Sequence, residues 1–337
     1  MPTQKNKILF LFLSFALIGT FLLNLSLGSV SIPTSEIFNS ILGNEIKTSW
    51  EIILWNFRLP KAITAILVGM GLSISGLLMQ TLFRNPLAGP YVLGLSSGSS
   101  LGVAFVIMGA GFLPSFLVSD YGIVLASSLG SFLVLLAVLV VSQKLRDTMA
   151  ILIVGLMFGS FTSAIVSVLS YFSTAQELQK FTFWSMGSLA NLPWSSILIL
   201  AICCVLGLML SIFGIKPLNA LLLGENYAKS LGLNFKKTRL IIIFATSILA
   251  GSITAFAGPI AFVGLAVPHL AKLLFQTSNH FILFWSTLLI GAILMLVCDC
   301  IAQLPGSDYT LPINAITSMV GAPVVVWLLV RKRNLMI

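Results

Sequence analysis

Apolar runs long enough to cross a lipid bilayer dominate the chain, and they remove most other folds from consideration. The hydrocarbon core of a bilayer is about 30 Å thick, so a spanning helix needs about 20 mostly apolar residues. Runs of this kind lie at about 8–27, 60–82, 92–111, 121–143, 149–172, 194–214, 238–257, 260–275, 281–301 and 311–330. The expected fold is all-α and polytopic, with about ten transmembrane helices. An even number of spans puts both termini on one side.

Composition carries the same message. The chain is 58% hydrophobic and 8% charged, whereas soluble domains run nearer ~45–50% apolar and ~25% charged. The first run follows Lys5 and Lys7 and resembles a secretory leader. It is longer than the roughly 7–15 apolar residues of a leader and no Ala-x-Ala site follows, so it reads as a retained span. The net charge of +9 does not point to nucleic acid. The basic residues cluster at the ends of apolar runs, which is a topology signal rather than a binding stripe.

Those basic residues set the orientation. With the N-terminus in the cytoplasm, only Lys47, Arg58, Lys61 and Lys180 fall outside, as the positive-inside rule requires. Among the acids, Asp147 and Glu225 face in and the others face out. The chain is expected to cross a membrane in multiple passes, with both termini cytoplasmic. Three connections exceed a tight turn: 28–57 and 173–193 outside, and 215–237 inside. The first is amphipathic and carries Trp50 and Trp55 as interface anchors. None is long enough to fold alone, so 1–337 reads as a single domain.

The stretch Arg84–Gly102 is the most distinctive local sequence. Two prolines, Pro86 and Pro90, precede glycines at 94, 98 and 102. The four-residue spacing predicts one helix face on which a neighbouring backbone approaches closely. The segment 71–90 passes from a Gly/Ser-rich helix into a Pro-rich turn, and 251–268 does likewise. By the loop charges the two helices enter from opposite sides, a faint inverted repeat of the transporter kind.

Chemistry-bearing constellations are sparse. Cys203 and Cys204 are adjacent in an apolar run, and Cys298 and Cys300 flank Asp299. Both pairs read as packing, with no metal-ligand spacing. No phosphate-binding loop occurs, and no nucleophile–base pair suggests catalysis. An ion-gradient-driven secondary transporter is the alternative reading, but it calls for paired intramembrane acids. Asp299 sits near a helix end and reads as interfacial. Energy for uphill transport is therefore expected from a partner. In the cytoplasmic segment, Gly224-Glu225-Asn226-Tyr227-Ala228-Lys229-Ser230-Leu231-Gly232 reads as a short helix. Glu225 suits its first turn, Gly232 stops it, and Ala228 and Leu231 form a small apolar face. It is either a connector on the membrane surface or a docking helix.

Five motifs in order then resemble one family. They are Arg58-Leu59-Pro60-Lys61, Asn85-Pro86-Leu87-Ala88 with Gly94-x-Ser96-Ser97-Gly98, and the 224–232 segment. Gly258-Pro259-Ile260 through Pro268-His269 follows, and then Leu311-Pro312 with Gly321-Ala322-Pro323. From about 58 to 331 the chain is similar to FecCD permeases, subunits of binding-protein-dependent ABC importers for iron–siderophores, haem and cobalamin. The resemblance implies an ABC type II importer architecture and a homodimer with a second copy. It also implies a cytoplasmic ABC ATPase carrying ATP and Mg, and an extracytoplasmic solute-binding protein. No cofactor or metal is expected in this chain. Residues Gly224, Glu225, Ala228, Leu231 and Gly232 match the ATPase-coupling helix. Asn85, Pro86 and Leu87, with Asp147 and Thr148, match the cytoplasmic gate. Arg58 and Lys61 match the binding-protein docking side, and Gly94, Gly98 and Gly102 a packing seam beside the pathway. Asp147 stands where the family more often has a small hydroxyl residue. Gln303 and Thr310 stand where a second outer arginine and a glutamate are usual.

Overall fold

A computed structural model describes residues 4–44, 46–144, 148–190, 192–224, 228, 230, 232–303, 307 and 309–333. The helices, in chain order, are α1 (Gln4–Ser26), α2 (Thr34–Ile41), α3 (Thr48–Ile53), α4 (Leu59–Leu82), α5 (Leu95–Met108), α6 (Asp120–Lys144), α7 (Thr148–Tyr171) and α8 (Ala175–Ser185). They continue with α9 (Trp194–Leu221), α10 (Phe235–Ala257), α11 (Val263–Phe275), α12 (His280–Ala302) and α13 (Ile313–Arg333). No strand occurs among the described residues.

Each of the ten apolar runs contains one helix, but the helices are not equivalent. Seven are long and apolar enough to cross a membrane, while α5, α11 and the apolar part of α13 are shorter. At 1.5 Å per residue, the 14 residues of α5 and 13 of α11 reach only about 21 and 20 Å. A left-handed residue precedes each, Gly94 at φ +77° and Phe262 at φ +66°. Both short helices therefore begin directly after a left-handed residue, downstream in sequence of a long helix, α4 or α10.

Helices also form outside the apolar runs. A π-turn at Leu54–Arg58 joins α3 to α4, so Thr48–Leu82 is one 35-residue helix. At about 52 Å it outreaches the bilayer core. Helix α8 starts with a capping box: Thr174 N and Oγ1 donate to Glu177 Oε2 at 2.8 and 2.9 Å. In return, Glu177 N donates to Thr174 Oγ1. These hydrogen bonds, the backbone one first, hold the Glu177 carboxyl below the usual carboxylate range. Helix α9 runs past its apolar stretch to Leu221 with Pro217 inside it. Residues 215–221 are thus a continuation of the helix, not part of a loop.

The chain forms two compact units, each assembled from separate segments. One comprises Met1–Ser73, Ser188–Ile202 and Ala261–Ile337, the other Ile74–Gly187 and Cys203–Ile260. In the first, α12 packs against α1, α11 and α13, and α4 meets α12 where Gly69 faces the Gly291 carbonyl. In the second, α5 packs on α6 and α7, and α6 on α10. Burial differs sharply at equal hydropathy. The most apolar windows of α4 and α7 have mean hydropathies of 2.0 and 1.9, yet 83% of the first is buried and 11% of the second.

Candidate functional site

The turn after α4 is built by side chain–backbone bonds. Asn85 N donates to the Gln80 carbonyl, and Asn85 Oδ1 accepts from Leu87 N at 2.9 Å, an Asx turn that replaces the lost helix ladder. Arg84 adopts φ +47°, where a non-glycine residue is uncommon. Its Nη2 donates to the Leu221 carbonyl at 3.3 Å. That carbonyl ends α9, so the cation lies at the negative end of the helix dipole. The Asn85-Pro86-Leu87 turn is thereby joined to the chain just before Gly224. Leu87 is exposed and Ala88 is buried.

Beyond this turn, Pro90–Leu93 forms a 3₁₀ turn. The Tyr91 hydroxyl lies 3.4 Å from Thr254 Oγ1 and accepts from Ile260 N, which ties the turn to the end of α10. Gly94 then departs from the expected helix face. It lies before α5 rather than within it, in a left-handed conformation. Added Cβ atoms at Gly94, Gly98 and Gly102 would meet the carbonyl oxygens of Gly155, Gly130 and Ala126, respectively. The seam therefore has two parts. Gly98 and Gly102 seat α5 on α6, and Gly94 turns the chain against α7. Ser99 hydrogen-bonds Ser131 across the α5–α6 contact, and Ser131 Oγ donates to the Leu95 carbonyl at 3.0 Å. At the far end of α10, Gly258 at φ +73° packs so closely on the Trp184 carbonyl and Gly187 that no side chain fits. This closes α8 onto the Gly258-Pro259-Ile260 turn.

Arg58 and Lys61 are engaged within their own unit. Arg58 is buried, and Nη1 donates to the carbonyls of Leu25 at 2.6 Å and Ser26 at 2.9 Å. Its Nη2 donates to the Val30 carbonyl. The guanidinium thus caps α1 instead of standing free at the surface. Lys61 Nζ pairs with Asp299 Oδ1 at 3.0 Å. Asp299 is 1% exposed, and Oδ2 accepts from Asn24 Nδ2 at 2.9 Å and Gln303 Nε2 at 2.7 Å. Gln303 completes this buried hub. The sequence reading missed the hub. Its available sign was Asn24, a lone amide within the first apolar run.

At the expected coupling segment, Gly224 and Gly232 have φ +106° and +82°, with nothing within 4 Å of an added Cβ. Ala228 N donates to the Gly224 carbonyl at 2.9 Å, a helical bond, and Ala228 is fully buried. Glu225, Leu231 and Asp147 lie outside the described residues. Thr148 begins α7, and its side chain is also outside them. His280, by sequence a loop residue, is buried at the start of α12. No group of three potential metal ligands occurs among the described residues.

The long apolar helices, with the shorter α5 and α11 each entered through a left-handed residue, match the permease fold of the ABC type II importer class. A solved structure described as an inward-facing metal-chelate type ABC transporter superposes with a TM-score of 0.85. It is 32% identical and covers 96% of this chain and 99% of its own. Residues 16–331 match the FecCD transport family, and the chain belongs to that family. Similar curated proteins include the vitamin B12 import permease BtuC of Klebsiella pneumoniae, 34% identical over 96% of this chain and 93% of that protein. The hemin transport permease HmuU of Yersinia pestis is 34% identical over 92% and 91%.

Proposed function

We propose that this permease imports a metal chelate, with an iron–siderophore as its cargo, working as a homodimer with a cytoplasmic ABC ATPase and an outer solute-binding protein. The carrying observation is the match across 96% of the chain to a metal-chelate type transporter. The vitamin B12 and hemin permeases among its relatives support large chelates as a class. The chain makes no covalent chemistry; its work is to be stabilised differently in two conformations. ATP and Mg act on the partner ATPase. The loop charges favour cytoplasmic termini, which puts Asn85–Leu87 and Gly224–Gly232 on the ATPase side. In this reading, ATPase closure moves 224–232, and the Arg84–Leu221 bond carries that displacement to the gate turn. Asp147 and Thr148 belong to the same gate. Docking of the binding protein falls on the surface around the α1–α4 connection that Arg58 and Lys61 brace.

The test is reconstitution with both partners and ATP, measuring uptake of ferric siderophores, haem and cobalamin in parallel. Accumulation of a ferric siderophore above the others supports the reading. Uptake of cobalamin or haem alone contradicts the cargo, and no ATP-dependent uptake of any of them contradicts the importer.

A further inference from the structure

One face of the second unit opens into a cavity of about 340 Å³, at the lower end of the roughly 300–1,000 Å³ usual for ligand pockets. Four elements converge on it: Ser96, Ser97 and Ser100 from α5, Ser163, Val166 and Ser167 from α7, Phe181 and Ser185 from α8, and Pro259 from the turn after α10. The described lining contains no charged side chain.

The hydroxyls are not all occupied by the protein. Helical Ser and Thr residues here commonly donate back one turn, as Ser160, Ser211 and Ser247 do to Leu156, Gly207 and Ile243. Ser167 and Ser185 in the cavity do the same. Ser96, Ser97, Ser100 and Ser163 make no side-chain hydrogen bond to a described residue. Rigid packing holds them in place. Gly94 and Gly98 seat the start of α5 against α7 and α6, and Gly187 against Gly258 fixes α8.

An uncharged wall of hydroxyls can donate to carbonyl oxygens and accept from N–H and O–H groups. It offers nothing to offset an anion leaving water, and an unpaired charge taken from water is costly. We infer that this cavity is a contact site for the cargo and that it selects chelates with an uncharged, oxygen-rich rim, of the ferric trihydroxamate kind. Chelates bearing carboxylates or tris-catecholate charge are disfavoured. The inference rests on the import reading above and assigns the cargo class to the permease itself.

The experiment removes the solute-binding protein, which would impose its own selectivity. The permease–ATPase complex in nanodiscs is titrated with radio-iron ferric trihydroxamate, ferric tris-catecholate and haem by equilibrium binding. The trihydroxamate should bind tightest, and Ser97→Val with Ser163→Val should weaken it about tenfold, the equivalent of one or two net hydrogen bonds. Ser100→Lys should reverse the order in favour of the tris-catecholate. If the reversal occurs, a folding defect is not the cause. Anionic chelates binding as well as the neutral one, binding indifferent to all three substitutions, or no chelate binding would each overturn the inference. ATP-driven uptake persisting in that case leaves the importer reading standing; its loss in unsubstituted protein removes both.

Discussion

Asp299 Oδ1 lies 3.0 Å from Lys61 Nζ, and this ion pair joins α12 to α4 inside the first unit. The carboxylate is almost fully buried, and its second oxygen is shared by two amides. Removing one ion of such a pair leaves the other stranded, at a cost of about 3–5 kcal/mol. Lys61→Met should therefore lower the thermal stability of the reconstituted protein strongly. Adding Asp299→Asn should recover most of the loss, because an amide oxygen still accepts from Asn24 and Gln303. Thermal unfolding in nanodiscs checks this, and additive losses in the double variant would contradict the hub.

The α5–α6 seam predicts a steep dependence on side-chain size. A Cβ at Gly102 would collide with the Ala126 carbonyl, so Gly102→Ala should destabilise by about 1–3 kcal/mol. Gly19 in α1 has nothing within 4 Å. Gly19→Ala should be neutral or stabilise by about 0.5–1 kcal/mol through helix propensity. The same unfolding assay separates the two, and equal effects would count against a specific seam.

Helix α8 should loosen in acid. The folded state holds the Glu177 carboxyl below the usual carboxylate range, first through the Thr174 backbone bond and then through its hydroxyl. A depressed carboxyl pKa contributes stability above the unfolded value, and that contribution is lost as pH falls through the folded value. Amide exchange at 178–181, corrected for intrinsic rate, should therefore accelerate below about pH 4. Glu177→Gln retains a neutral capping partner and should flatten that dependence. An unchanged pH profile in the variant would show that another group controls the helix.

Much of this architecture is legible from the sequence, because the bilayer forces long apolar runs into helices. The ten runs each contain a helix, and Gly232 is left-handed at the expected stop. Two physical limits account for the rest. Hydropathy averages over a span and ignores facing, so α4 and α7 look alike although one is buried and the other is not. Long-range polar pairing is equally hidden: Asn24 and Asp299 are 275 residues apart, and no local pattern joins them. Gly94 shows a third limit, since equal spacing with Gly98 and Gly102 does not reveal that the helix begins only at Leu95. Nor does local spacing reveal that Ser96, Ser97 and Ser100 share a cavity with side chains of α7 and α8.

At the glycines bounding the proposed coupling segment, backbone conformation rather than contact sets the requirement. Gly232 has open space around an added Cβ but a φ of +82°, so Gly232→Ala costs about 1–3 kcal/mol of local strain. Asparagine tolerates this region better than alanine, and valine worst. Stimulation of the partner ATPase should fall in the order Gly, Asn, Ala, Val while the permease remains folded. An order set by side-chain volume alone would contradict the conformational account.

In the proposed transport cycle, an ATPase bound at 224–232 drives the permease through its Arg84-linked gate turn. The most direct measurement is chelate uptake into proteoliposomes containing the full transporter, with either the active ATPase or its hydrolysis-dead form. Uptake should require the active ATPase and be unaffected when ion gradients are collapsed. Uptake that continues with the dead ATPase and disappears with the ion gradient would contradict the account.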